Sequence, residues 1–315
     1  MSGSINIGIG DLISYLNGNL SDEKTIVLNQ IRIPKMFTAL LAGMSLSVCG
    51  VIMQTLFLNP LAGPYVLGIN SGANLAVALV MLSTGSVINI NNEFISLLSI
   101  QGAAIIGACS MLLLMLSISK KFSQQAGLLL VGVMIAQLVS AIQSLLEYFA
   151  NPEQLKSFFI WNMASISNTT IKDIPILFVI SIIGCSAAYL LSTKMDLLLM
   201  GDNYSSTMGL NVKQVRLIII IITGILAGII TAYCGPIAFI GIAIPHISRL
   251  LFKTSLHKTI IPSSMLIGAI LLLLCDILCQ LPDRGIILPL NVVTSFIGTP
   301  VIIYLIVKSS KQHIA

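Results

Sequence analysis

Residues 32–74 read RIPKMFTALLAGMSLSVCGVIMQTLFLNPLAGPYVLGINSGAN, and the fold is decided here. Two cations flank a proline, and an uncharged run follows from Met36 to Leu58. A bilayer core takes about 20 apolar residues to cross, so this run is long enough. It stops at Asn59-Pro60-Leu61-Ala62-Gly63-Pro64, whose two prolines cannot both sit inside a helix. A second uncharged run begins at once, with Gly68, Ser71, Gly72 and Ala73 early in its course. Short membrane loops ordinarily use Lys or Arg as anchors. A stiff turn without charge therefore reads as buried against a partner or lining a path.

Working outward, 56% of the 315 residues are hydrophobic and 9% are charged, against roughly a quarter charged in soluble domains. The chain is read as an integral membrane protein. It lacks the alternating ten-residue segments of a membrane β-barrel, which leaves an all-α, polytopic transmembrane helical bundle. Nine spans are expected, at 36–58, 65–83, 94–118, 127–149, 174–193, 215–234, 237–252, 259–279 and 286–307. Residues 1–35 form an extracytoplasmic segment, 36–308 one transmembrane domain, and 309–315 a tail. The six cysteines lie in or beside apolar runs and read as packing groups. A net charge of +5, spread thinly, gives no nucleic-acid surface. No P-loop, H-E-x-x-H or G-x-S-x-G motif is present.

Positive charge orients the bundle. A cytoplasmic Asn59–Pro64 turn puts ten of the sixteen Lys and Arg inside, among them Lys194, Arg216, Arg249 and Lys258. Lys24, Arg32, Lys35, Lys156, Lys172 and Arg284 are then outside. Gly224 and Gly228, and more loosely Ala103 and Gly107, have the spacing of close helix contacts.

Three stretches carry candidate chemistry. The loop 194–216, KMDLLLMGDNYSSTMGLNVKQVR, holds a short helix capped by Asp202 or Asn203 and stopped by Gly209. It reads either as a docking element for a soluble protein or as an ordinary loop. Residues 235–249, GPIAFIGIAIPHISR, open on Gly235-Pro236, and Pro245-His246 is expected to break the helix. His246 is a proton relay, a ligand, or a side chain satisfied by a nearby carbonyl. Glu147 and Asp276 close the fourth and eighth spans as functional acids or ion-paired interfacial carboxylates.

Eight motifs then recur in a known order: Arg32-Ile-Pro-Lys35, Gly50 to Gln54, Asn59-Pro60-Leu61-Ala62, Gly68 with Ser71-Gly72-Ala73, Gly201 to Gly209, Gly235 to Gly241, Pro245 to Arg249, and Thr294 with Gly298-Thr-Pro300. In these the chain resembles the permease of type II ATP-binding-cassette importers for ferric siderophores, haem or vitamin B12. The resemblance implies a homodimer in the bacterial inner membrane, two ATPase subunits on the cytoplasmic side and an extracytoplasmic binding protein. It implies no catalytic residue, metal or cofactor in this chain, since ATP and magnesium belong to the ATPase. Asn59, Pro60 and Leu61 correspond to a cytoplasmic gate. Gly201, Asp202, Ser205, Ser206, Met208, Gly209 and Leu210 correspond to the coupling helix. Arg32 and Lys35 correspond to cations that dock the binding protein, with Arg284 as a third.

Ser71, Gly72, Gly235, Pro236, Gly241, Pro245, His246, Thr294, Gly298 and Pro300 are expected to line the path or break helices around it. The path itself is expected between the fourth and ninth spans and the start of the second. The family has ten helices, and its first is missing from this reading. Asn291 and Ala164 replace family glycines, and Gln280 replaces an arginine. The leading cargo is an iron chelate, with haem or vitamin B12 as the alternative. A proton-coupled secondary transporter using Glu147, Asp276 or His246 is the rival class, and a membrane scaffold a further one.

Overall fold

A computed structural model describes residues 8–18, 21–83, 93–119, 125–281 and 287–312, and among them every regular element is helical. In chain order these are α1 (Ile9–Leu16), α2 (Asp22–Val27), α3 (Ile33–Leu56), α4 (Ile69–Ser83), α5 (Glu93–Ser119), α6 (Gln125–Phe149) and α7 (Pro152–Asn162). Then follow α8 (Ile174–Leu190), α9 (Ser192–Leu199), α10 (Asp202–Thr207), α11 (Val212–Cys234), α12 (Ile240–Phe252), α13 (His257–Cys279) and α14 (Leu290–Gln312). Five segments are long and apolar enough to cross a membrane: Asp22–Leu56, Ile100–Ser119, Gly127–Phe149, α11 and α13. α8 and α9 make a sixth as one span bent by 53°, while Ile69–Leu82, α12 and Leu290–Ile303 are apolar but shorter. Each of these falls on a segment expected from hydropathy, three of them short of a full crossing.

The first span departs from expectation at its start. Its helix begins at Asp22, about four turns before Met36, and passes Pro34 without ending. A π-helical turn at Leu28–Arg32 directly precedes the proline. Proline has no N–H and its ring crowds the carbonyl four residues back, and the wider turn accommodates both. α1 lies against this extension through Lys24–Asp11 at 2.7 Å and Tyr15–Asn29 at 2.6 Å. The Lys24 ammonium, with the Gly8 amide, holds Asp11 below the usual carboxylate range.

α3 and α11 form the centre, with 78% and 72% of their spanning windows buried, whereas α6 is 17% buried and turns Leu130, Leu138 and Leu145 outward. Three contacts fix α3 antiparallel to α13: Lys35 with Asp276, Gly43 against Gly268, and Thr55 with His257. The bundle thus has a Thr55 end and a Lys35 end. α12 starts beside Gly50, midway along α3, and runs to the Thr55 end. Pro245 does not break it, contrary to expectation. The carbonyl deprived of its donor by Pro245 is that of Gly241, and it points at the Gly50 backbone, where a Cα–H replaces the N–H. The second span, in contrast, opens on a 3₁₀ turn at Pro64–Leu67 and becomes α-helical only after Gly68.

The small-residue pairs seen in the sequence do pack: Gly107 on Gly72 of α4, and Gly224 and Gly228 on Leu112 and Ala108 of α5. The tightest approach is Gly50 to Gly241, where an added Cβ would lie 1.7 Å from the Gly241 oxygen. Gly50→Ala is expected to destabilise by more than about 2 kcal/mol, at the upper end of overpacking. Gly102→Ala, which meets nothing within 4 Å, should be neutral or slightly stabilising in thermal unfolding of the detergent-purified protein.

Candidate functional site

At the Thr55 end, α3 stops at Leu56 and the chain turns through Asn59, Pro60 and Leu61. The Asn59 side chain accepts from the Leu61 amide at 2.9 Å, and the Ala62 amide bonds the Asn59 carbonyl at 3.0 Å. Leu58, just before the turn, holds φ at 46°, a left-handed conformation unusual for leucine. α12 grips this turn at two points. Arg249 Nη1 donates to Gln54 Oε1 at 2.6 Å, and Gln54 Nε2 donates to the Ile242 carbonyl at 3.2 Å. His246 Nε2 lies 2.8 Å from the Pro60 carbonyl oxygen. Of the readings open for His246, satisfaction by a carbonyl is the one realised, and Pro60 supplies it.

The docking element expected from the sequence is α10 with its flanks. Gly201 and Gly209 both adopt left-handed φ, 93° and 81°, with no atom near a notional Cβ. Glycine is required there by conformation rather than by space. Between them α10 exposes Asn203, Tyr204, Ser206 and Thr207, with Met208 exposed just beyond. Its inner side is anchored twice. Buried Ser205 donates to the carbonyls of Leu197 at 2.7 Å and Gly201 at 2.8 Å. Asp202 takes both oxygens to Arg216 Nη2, at 2.7 and 2.8 Å, which ties α10 to the start of α11. The Leu210 amide closes the loop on the Ser205 carbonyl at 3.0 Å.

At the opposite end, Lys35 Nζ lies 2.9 Å from Asp276 Oδ1, with the side chains 12% and 15% exposed. Gln280 donates to Asp276 Oδ2 at 3.0 Å. Lys35 is thus engaged inside the chain, and the partner of Asp276 is Lys35. Arg32 is half-buried one turn earlier, and Arg284 lies outside the described residues. Glu147 accepts from Gln143 at 2.8 Å.

A cavity of about 690 Å³ opens between α7 and α14, lined by Phe159, Asn162, Met163, Asn291, Val292, Ser295, Phe296, Thr299 and Pro300. Of the spans expected to line the path, α14 borders this cavity, and α6 and the start of α4 do not. α7 was not anticipated at all, although Asn151-Pro152-Glu153-Gln154 is a legible helix start, with proline in the first turn and a reciprocal cap. Asn291 anchors the wall. Its amide nitrogen donates to the Pro236 carbonyl at 2.7 Å and the Asn162 carbonyl at 3.3 Å, and its oxygen accepts from the Ala238 amide at 3.0 Å. Ala164, at the foot of α7, has φ of 61°. Of the expected path residues only Pro300 lines the cavity. Gly235 and Pro236 stand behind it, and Thr294 is buried. Gly298 packs on Phe239, Gly72 on Met111, and Gly241 on Pro64, while Ser71 is half-buried.

Comparison with known proteins returns one consistent picture. Residues 1–308 match the model of the FecCD transport family. The hemin transport system permease HmuU of Yersinia pestis is 31% identical over 314 residues, covering 99% of this chain and 92% of the relative. The vitamin B12 import system permease BtuC of Salmonella arizonae is 33% identical, covering 93% and 86%. A solved metal-chelate type ABC transporter in an inward-facing conformation superposes with a TM-score of 0.81 at 29% identity, covering 91% of this chain and 89% of the other.

The Lys35–Asp276 pair yields a direct test. Asp276→Leu alone strands a mostly buried ammonium and is expected to cost about 3–5 kcal/mol. Lys35→Met with Asp276→Leu should regain most of that loss in thermal unfolding, because the two charges are removed together.

Proposed function

The chain belongs to the FecCD transport family, and from that premise we propose that it forms the membrane pathway of an importer that takes in an iron-siderophore or similar iron chelate. It is a multi-pass membrane permease of the iron-chelate, haem or vitamin B12 type and a transport subunit rather than an enzyme. The Thr55 end faces the cytoplasm, with nine spans between it and the outside of a bacterial inner membrane. Two copies face each other, and the second copy closes the cavity between α7 and α14. Two ATPase subunits bind ATP and magnesium and dock on α10. A binding protein delivers cargo to the Lys35 end, where Arg32 and Lys35 meet its acidic side chains. A carboxylate reaching Lys35 there replaces Asp276.

The observation that carries this reading is the form of α10. It is a six-residue knob with an exposed tyrosine and a methionine beside it, tied to α9 through Ser205 and to α11 through Asp202. A rigid knob converts movement of a docked ATPase into movement of α9 and α11, and rigid-body switching needs such undeformable parts. The cavity wall supports a bulky organic chelate, since it offers aromatic, amide and hydroxyl groups. Cavities of about 300–1,000 Å³ suit small-molecule cargo. Haem and vitamin B12 are the alternative cargoes for the same machine. The proton-carrier reading would use Asp276, which here pairs with Lys35, Glu147, which accepts from Gln143, or His246, which meets the Pro60 carbonyl.

The test is ATP hydrolysis by the permease reconstituted with its ATPase, with binding protein loaded in turn with ferric siderophore, haem or cobalamin. Ferric siderophore should stimulate hydrolysis several-fold. Gly209→Trp and Asp202→Lys should abolish the stimulation, the second by setting a lysine against Arg216. Stimulation by haem or cobalamin instead would replace the cargo, and stimulation that survives both substitutions would remove α10 as the docking element.

A further inference from the structure

The knob and the turn are joined by a short series of polar contacts whose middle members, Asp196, His257 and Thr55, lie in no motif of the family resemblance. Ser205 ties α10 to the Leu197 carbonyl of α9. The neighbouring residue on α9, Asp196, accepts from the backbone amide of His257 at 3.0 Å and from its Nδ1 at 2.6 Å. His257 is the first residue of α13, and its ring is buried. The other ring nitrogen, Nε2, meets Thr55 Oγ1 at 2.7 Å in the last turn of α3, four residues before Asn59. Gln54, next to Thr55, is the residue held by Arg249. From α10 to the charge-free turn the steps are hydrogen bonds joined by the peptide links Asp196–Leu197 and Gln54–Thr55, and the last is the Asn59 amide donating to the Gln54 carbonyl at 3.2 Å.

The chemistry of these groups makes the connection stiff. A carboxylate only accepts, so Nδ1 carries a hydrogen, and Nε2 pairs with the Thr55 hydroxyl, which also faces the Val51 carbonyl. With both nitrogens engaged the imidazole cannot turn. A hydrogen bond to a carboxylate is also about twice as strong as a neutral one. With Lys35–Asp276 and the Gly43–Gly268 crossing, this ring fixes the relative height of α3 and α13, and it ties both to α9. The same three groups resemble an acid–base–nucleophile array. Thr55 is 1% exposed, however, and its hydroxyl is also 2.9 Å from the Val51 carbonyl, so no substrate carbonyl can approach it.

We propose that Asp196, His257 and Thr55 are positioning residues that transmit displacement of the ATPase-docked α10 to the Asn59–Leu61 turn. This rests on the importer reading given above. The account differs from simple packing in one respect: breaking the link separates ATP hydrolysis from transport, whereas loss of packing lowers both together.

The experiment uses the complete complex of permease, ATPase and binding protein in liposomes. It measures radio-iron siderophore, labelled haem or labelled cobalamin moved per ATP hydrolysed. Thr55→Val removes one hydroxyl, and loss of one buried hydrogen bond is worth about two- to tenfold in an equilibrium. Cargo moved per ATP is expected to fall by about fivefold on that scale, with binding-protein stimulation of hydrolysis retained, and Thr55→Ser should restore the ratio. Asp196→Asn keeps the shape and leaves the hydroxyl in place; it should lower the same ratio even if Thr55→Val is not recovered as a folded complex. A wild-type complex that transports, with an unchanged ratio or a parallel fall of transport and hydrolysis in the variants, overturns the link alone. A wild-type complex that moves none of the three cargoes with ATP overturns the importer reading and the link with it.

Discussion

The architecture depends on backbone-to-backbone contact along α3. Gly50 meets Gly241 of α12, and Gly43 meets Gly268 of α13. Within a bilayer no hydrophobic force separates a helix surface from lipid tails, so association rests on close packing and polar contacts. Glycine on both sides lets backbones approach until carbonyl oxygens touch Cα–H groups. The Gly50–Gly241 crossing also answers the need created by Pro245, whose missing N–H strands the Gly241 carbonyl. Because α12 can begin at mid-depth against α3, its other end reaches the Asn59–Leu61 turn with Arg249 and His246 in position. Wider spacing at the glycines would remove both grips on the turn.

Around this close-packed centre, the polar contacts sort to the two ends. At one, Asp202–Arg216 joins α10 to α11, Asp196–His257–Thr55 joins α9 to α13 and α3, and Arg249–Gln54 joins α12 to α3, while His246 holds the turn through the Pro60 carbonyl. At the other, Lys35–Asp276 pins the start of α3 to the end of α13. Charged groups stranded in hydrocarbon are costly, and pairing contains that cost. Between the ends, α3 packs through Ala, Gly, Ser and apolar groups, and the two glycine crossings hold it close to α12 and α13.

The helical class, the segments that became helices and the knob at 202–207 were legible in the sequence, since hydropathy and glycines are local signals, but the cap is Gly201 rather than Asp202 or Asn203, and Asp202 turns to Arg216 instead. Asn59–Leu61 and Gly201–Leu210 stood out for the same reason. Less legible was whatever depends on partners far apart in the chain. Thr55 and His257 are 202 positions apart, and nothing near either residue announces the other. Lys35 read as an outward cation because the charge-based orientation and the family resemblance place it outside, and its partner Asp276 lies on a helix far along the chain. Pro245 read as a break because the compensating carbonyl contact is tertiary. α7 was the avoidable omission, since its start signal is local, but its eleven residues were too few for a search tuned to spanning length.

The most direct measurement of the central claim is iron-chelate uptake into liposomes holding the permease, its ATPase and its binding protein. Uptake would be driven either by internal ATP or by an imposed proton gradient without ATP. The account predicts accumulation with ATP alone, abolished when the ATPase is left out and indifferent to the gradient. Accumulation driven by the gradient in liposomes that hold only this chain would contradict it.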